Sequence, residues 1–334
     1  MKFPLFNSRS LRFLLMSTLA ISTGAALLFL FLNARSYDRQ VEDDAIYNET
    51  LRNHYQIYAP SLPEELSFLD ADVPMDNYLV RESLDKELLT NMYLHGTTIQ
   101  ILKRSTRYFP IIEPILKSYG LPDDLKYLCV AESSLNQAVS GAGAVGFWQF
   151  MKSTAVEYGL EVNDEIDERY HIEKSTHAAC QYLKDRYAGL NNDWILTCAA
   201  YNLGENGLRK RMDNQKIYSY WDLQLPTETS RYVFRIIALK LILEQPENYG
   251  FRLRDKDYYP PLLTREITID SSISNIYDFA RSLNVPYKVL RSYNPWFRGE
   301  KLTNTTHKTY TFQLPGTNGL SWKHLKEHQE HSHR

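Results

Sequence analysis

In the segment Leu125-Lys-Tyr-Leu-Cys-Val-Ala-Glu-Ser133, Leu125, Leu128, Cys129 and Glu132 fall at i, i+3, i+4 and i+7. A helix there turns the carboxyl of Glu132 toward its own apolar face. A carboxylate taken out of water without a cation is costly, and the group relieves that cost by keeping its proton at higher pH. This is the state a general acid needs near neutrality. The alternative is a structural glutamate paired with an arginine from elsewhere, since no Arg or Lys shares that face.

Two further segments carry groups able to hold a polar ligand. Ser140-Gly-Ala-Gly-Ala-Val-Gly-Phe-Trp-Gln-Phe-Met151 is a glycine-rich turn followed by aromatic residues enclosing one amide, Gln149. Glycines let backbone approach a ligand closely, and a lone amide among rings can fix a polar group. Such turns also occur simply as loop-to-helix connections. In Trp194–Gly204, Tyr201 and Asn202 set a hydroxyl and an amide at the end of an otherwise apolar helix, where a buried amide needs a partner, either substrate or structure. Asp167-Glu-Arg169 offers a second carboxylate site or, alternatively, a local ion-paired turn. Cys129, Cys180 and Cys198 show no zinc-site spacing and read as inert buried thiols.

The elements that must position these groups are helical. Apolar residues recur at helical spacing over 84–94, 97–108, 110–119, 122–133, 152–158, 173–189, 192–203 and 227–244, with no convincing strand among them. Beyond Tyr259-Pro260-Pro261 the pattern changes. Alternation at 265–269 and 310–314 brackets helical stretches at 274–283 and 286–293, giving a small β-α-α-β module. The last residues, with His324, His328, His331 and His333, read as a solvated tail.

A net charge of −2 excludes the basic field that a nucleic-acid partner requires. At the amino terminus Lys2, Arg9 and Arg12 precede an uncharged run from Phe13 to Leu32, followed by Asp38, Glu42, Asp43 and Asp44. That run is about the ~20 residues a bilayer span needs, and the charge bias leaves the body of the chain outside the inner membrane, anchored or secreted. No cysteine stands nearby to carry a lipid.

Ala131-Glu-Ser133, Gly143-Ala-Val-Gly-Phe-Trp-Gln-Phe-Met151, Asp167-Glu-Arg169, Ser175-Thr-His-Ala-Ala179 and Ala199-Ala-Tyr-Asn202 resemble, in order and spacing, the successive signature motifs of the family 1 lytic transglycosylases. The likeness runs from about Asn77 to Glu247 and includes Thr227-Glu-Thr-Ser-Arg-Tyr-Val233. It implies a mainly α, goose-type lysozyme-like domain with Glu132 as the single general acid/base. Ser133, Gln149, Tyr201 and Asn202 match positions that support the acid or hold the sugar, and Tyr232 matches a tyrosine lining the cleft. The substrate so implied is the glycan strand of peptidoglycan, cut between N-acetylmuramic acid and N-acetylglucosamine to leave a 1,6-anhydro end. No cofactor or metal is implied. A hydrolytic muramidase and an inactive glycan-binding wall protein are the alternatives. The C-terminal module resembles a LysM repeat, with Asn294-Pro295 and Leu314-Pro315 in agreement but Ser271-Ser-Ile273 where a Gly-Asp-Thr turn is usual.

The expected organisation is a signal-anchor or signal peptide over 1–35, a stalk over 36–76, the lysozyme-like domain over 77–255, the LysM-like module over 262–316 and a disordered tail over 317–334, in a monomer on the periplasmic side of the cell envelope.

Overall fold

The computed structural model describes residues 57–332, together with Ile46 and Glu49. The apolar run Phe13–Leu32 lies outside the described residues, among which no helix is long and apolar enough to cross a membrane.

The larger part is helical. After a two-residue hairpin, β1 (Ser67–Phe68) and β2 (Ala71–Asp72), come α1 (Tyr78–Tyr93), α2 (His95–Ser118), α3 (Leu125–Ser133), α4 (Lys152–Glu157), α5 (Ile172–Gly189), α6 (Trp194–Leu203), α7 (Glu205–Gln215) and α8 (Thr227–Glu244). Helices α1 and α6 start on side-chain caps: Asn77 accepts from Leu79 N at 3.0 Å and Asp193 from Leu196 N at 2.9 Å. The central element is α8, which packs against α1, α3 and α6 and buries Tyr232, Val233, Ile236, Ile237 and Leu239. Its bounds agree with the spacing of apolar residues in the sequence.

Three stretches depart from the expected pattern. The segments 97–108 and 110–119 form one helix, α2, that runs through Pro110 and Pro114. The two prolines are one turn apart and exposed, so the missing N–H groups fall on the solvent side and the buried ladder continues. Helix α7 was not expected because only Leu208 and Met212 of its residues are buried, too few to set a period. The end of the expected stalk is instead core: Phe68, Leu69, Val73 and Met75 are buried in the main hydrophobic cluster, and Leu69 N donates to Asp124 Oδ2 at 3.0 Å.

The C-terminal part is the β-α-α-β unit. Strand β3 (Thr264–Ile269) pairs antiparallel with β4 (Tyr310–Pro315), from Thr264 opposite Pro315 to Ile269 opposite Tyr310, and α9 (Ile276–Ser282) and α10 (Tyr287–Tyr293) lie between them in sequence. Its core of Ile276, Leu290, Trp296, Phe297, Phe312 and Leu314 also takes in Ile166 from the helical part. The expected disordered tail is corrected by α11 (Trp322–Ser332), which buries Leu325 and hydrogen-bonds through Lys326 Nζ to the Tyr258 carbonyl at 2.5 Å.

Candidate active site

Glu132 stands in the last turn of α3, where Ser134 and Leu135 both adopt left-handed backbone at φ 53. The chain therefore leaves the helix one residue after the glutamate, at Ser134, and Glu132 is left half-buried. From α8, 100 residues further on, Tyr232 donates its hydroxyl to Glu132 Oε1. Burial pushes the Glu132 carboxyl up to about 7. The Tyr232 hydrogen bond and the charge of Arg235 oppose that rise, and the charge of Glu228 adds to it. Among the described residues no cation forms an ion pair with Glu132, because Arg235 is directed to Glu228 at 2.9 Å and toward Glu87 at 3.8 Å.

Tyr201 lies close enough that the Glu132 charge, after burial, pushes its phenol well up. Its hydroxyl donates to the Trp148 carbonyl at 2.7 Å, so the end of α6 is tied to the glycine-rich turn. Cys129 Sγ reaches the Phe147 carbonyl at 3.5 Å and ties α3 to the same turn. Asn202 accepts from Thr229 Oγ1 at 2.8 Å, joining α6 to α8. Gln149, at φ 49, donates its amide to the carbonyls of Ala138 at 3.0 Å and Gly146 at 2.7 Å, which closes the turn on itself.

Two expectations change on these contacts. Ser133 is buried and its hydroxyl donates back to the Cys129 carbonyl at 3.2 Å, within its own helix, rather than facing Glu132. Gly146, at φ +84, approaches protein and not ligand: a Cβ there would lie 2.1 Å from the Arg169 carbonyl oxygen. Thr229 and the Trp148 carbonyl were not foreseen. The first has a sequence signal, since it lies three residues before Tyr232 on the same helical face; a backbone acceptor has none.

Asp167 and Glu168 are both engaged. Arg169 clasps Asp167 with Nε and Nη2 at 2.9 and 2.7 Å. Glu168 pairs with Lys174 at 2.5 Å and accepts from Glu161 N at 2.9 Å. The ion-paired turn is thus the structural outcome. A surface concavity of about 500 Å³, lined by Tyr187, Trp194, Tyr218 and Trp221, opens at the other end of α6 and does not include Glu132.

The sequence of residues 109–224, which spans Glu132, the glycine-rich turn, Tyr201 and Asn202, matches the family model of the transglycosylase SLT domain. The chain carries an SLT domain. Residues 265–318 match a second model, the soluble lytic transglycosylase C-terminal LysM-like domain, which coincides with the β3–β4 unit. Over 232 residues, 68% of the chain and 50% of the relative, the sequence is 32% identical to membrane-bound lytic murein transglycosylase D of Escherichia coli (strain K12). It is 28% identical over 129 residues, 38% of the chain and 62% of the relative, to a putative tributyltin chloride resistance protein of Alteromonas sp. (strain M-1). The chain spans about half the length of the first of these relatives. The SLT match ends before α8, so Tyr232 and Thr229 lie beyond it and the site is completed from outside the matched residues.

Proposed function

We propose that this chain is a peptidoglycan lytic transglycosylase of the cell envelope, with Glu132 as its single general acid/base. The observation that carries the reading is a half-buried carboxyl pushed up to about 7, hydrogen-bonded by Tyr232 and, among the described residues, without an ion pair, within the residues that match an SLT domain. Such a group is divided between its protonated and ionised forms near neutrality, so it can both give a proton and take one back.

Glu132 first protonates the glycosidic oxygen between N-acetylmuramic acid and N-acetylglucosamine, the bond from that oxygen to the muramoyl C1 breaks, and the N-acetylglucosamine side leaves carrying the proton as a hydroxyl. As a carboxylate Glu132 then takes the proton of the muramoyl C6 hydroxyl, and that oxygen closes the 1,6-anhydro ring. Tyr232 steadies the carboxylate stage, because a hydrogen bond to the charged form favours it. A two-carboxylate hydrolase needs a second acidic group free to activate water or attack carbon. Asp167 and Glu168 are held in ion pairs, and Glu228 is paired with Arg235, which supports the one-acid route. Gln149, Tyr201 and Asn202 frame the sugar site, and the segment before residue 36 directs the chain across the inner membrane.

The test is Glu132→Gln assayed on purified sacculi. Release of anhydromuropeptides falls by about a thousandfold or more, within the range for loss of an acid/base group, while the melting curve stays cooperative. Retention of full release by the folded variant would remove Glu132 from the chemistry.

A further inference from the structure

The LysM-like module grips the SLT domain at one segment, 161–171, and that segment in turn holds the glycine-rich turn beside Glu132. Ile166 is 1% exposed and belongs to the module's own core. The Glu165 carbonyl accepts from Arg298 N at 2.7 Å and Gly299 N at 3.0 Å, and its carboxylate accepts from Thr303 N at 2.6 Å and Thr303 Oγ1 at 2.9 Å. Asp167 N donates to the Trp296 carbonyl at 2.8 Å, and Glu161 pairs with Lys308 at 2.5 Å. The connecting segment is fixed as well: Tyr259 N donates to the Lys103 carbonyl at 2.9 Å and Arg107 Nε to the Pro260 carbonyl at 2.9 Å.

From this segment Arg169, 8% exposed, crosses to the turn. Its Nη1 donates to the Gly143 carbonyl at 3.2 Å and the Phe150 carbonyl at 3.1 Å, while Asp167 holds the rest of the guanidinium. Its own carbonyl oxygen sits where Gly146 would carry a Cβ. Gln137 Nε2 closes the other side on the Tyr170 carbonyl at 2.8 Å. The turn then presents the Trp148 carbonyl to Tyr201. A module that served only to tether glycan would be expected on a free linker; this one is seated on the segment that holds the turn.

We propose that Arg169 is a positioning residue, and that the LysM-like module works through the Glu165–Arg169 segment as a brace that fixes the glycine-rich turn, and with it Tyr201, next to Glu132. The proposal rests on the transglycosylase reading for its kinetic readout, though not for its structural one.

The test compares the full chain with Glu165→Ala and Arg169→Gln, with Arg169→Lys as the conservative partner. The substrate is a soluble tetrasaccharide of alternating N-acetylglucosamine and N-acetylmuramic acid, which needs no grip on an insoluble wall. The brace predicts that kcat falls about tenfold or more in Glu165→Ala and Arg169→Gln, the scale expected of a misplaced site, with KM changed by less than about twofold, and that Arg169→Lys recovers part of the loss. Hydrogen exchange is read in parallel at the turn amides of Val145, Gly146 and Phe150, which bond to Phe150, Ala138 and Val145 carbonyls. Their exchange rises in Glu165→Ala although the substitution lies outside the turn. Unchanged exchange there overturns the brace whatever the activity. Unchanged kcat on the tetrasaccharide, with digestion of sacculi alone reduced, overturns it in favour of a tether. Should Glu132→Gln prove fully active, the reaction assignment fails while the exchange result still decides the brace.

Discussion

Glu87 and Glu132 reach the same helix, α8, from α1 and α3, and α8 meets them with different groups. Glu87, 1% exposed, receives Arg231 Nε at 2.5 Å and Arg235 at 3.8 Å. Glu132 receives the neutral hydroxyl of Tyr232. Residues 231 and 232 are one step, about 100°, apart around the helix, and that step separates a cation from a phenol. Burial alone is therefore not what sets Glu132 apart, since the less exposed carboxyl of the two, Glu87, is the one with ion pairs. Denial of a cation to Glu132, with Arg235 held by Glu228, leaves burial as the dominant influence on its proton.

Removing one side of each contact sharpens this contrast. Glu87→Ala leaves two guanidinium groups facing an emptied site and costs about 3 kcal/mol of stability, measured by denaturant unfolding. A loss under about 1 kcal/mol would show that the pair behaves like a surface ion pair and that the contrast is overstated. Glu132→Gln acts in the opposite direction, with a size that depends on pH. The folded carboxyl titrates at about 7 against an ordinary 4.5, so the stability it contributes is complete below about 4.5 and is lost as pH rises through about 7. The glutamine variant thus melts with the parent at pH 4 and gains roughly 3 kcal/mol over it by pH 8. Melting curves that stay parallel from pH 4 to 8 contradict the raised carboxyl. Tyr232→Phe is the smallest of the three, about 1 kcal/mol in unfolding. Because its hydroxyl favours the ionised acid, its loss moves the alkaline limb of the pH–rate profile upward, and a limb that moves down reverses the assignment.

Much of the site was legible because local pattern carried it. The apolar face that includes Glu132, the bounds of α8 and the β-α-α-β order all follow from periods of 3.6 and 2. Contacts across long separations were not legible as geometry: nothing within 125–133 says that the partner of Glu132 is Tyr232 rather than an arginine. Ser133 shows the same limit at short range, where a hydroxyl beside the acid bonds to its own helix. The separate segments expected at 97–108 and 110–119 are one helix, which tolerates Pro110 and Pro114 because both face solvent. Asp167-Glu-Arg169 reads in sequence only as a local ion-paired turn or a carboxylate site, because the contacts that seat the 161–171 segment lie in the module more than 100 residues later, at Trp296, Arg298 and Thr303.

The most direct measurement of the one-carboxylate account is digestion of sacculi in water enriched in oxygen-18, with mass spectrometry of the muramoyl ends. The account predicts 1,6-anhydro ends, lighter than reducing ends by one water and carrying no heavy oxygen, since the C6 oxygen of the sugar itself closes the ring. Reducing muramoyl ends formed during digestion in place of anhydro ends would mean that water, not the C6 hydroxyl, attacks the anomeric carbon, and would contradict the one-carboxylate route.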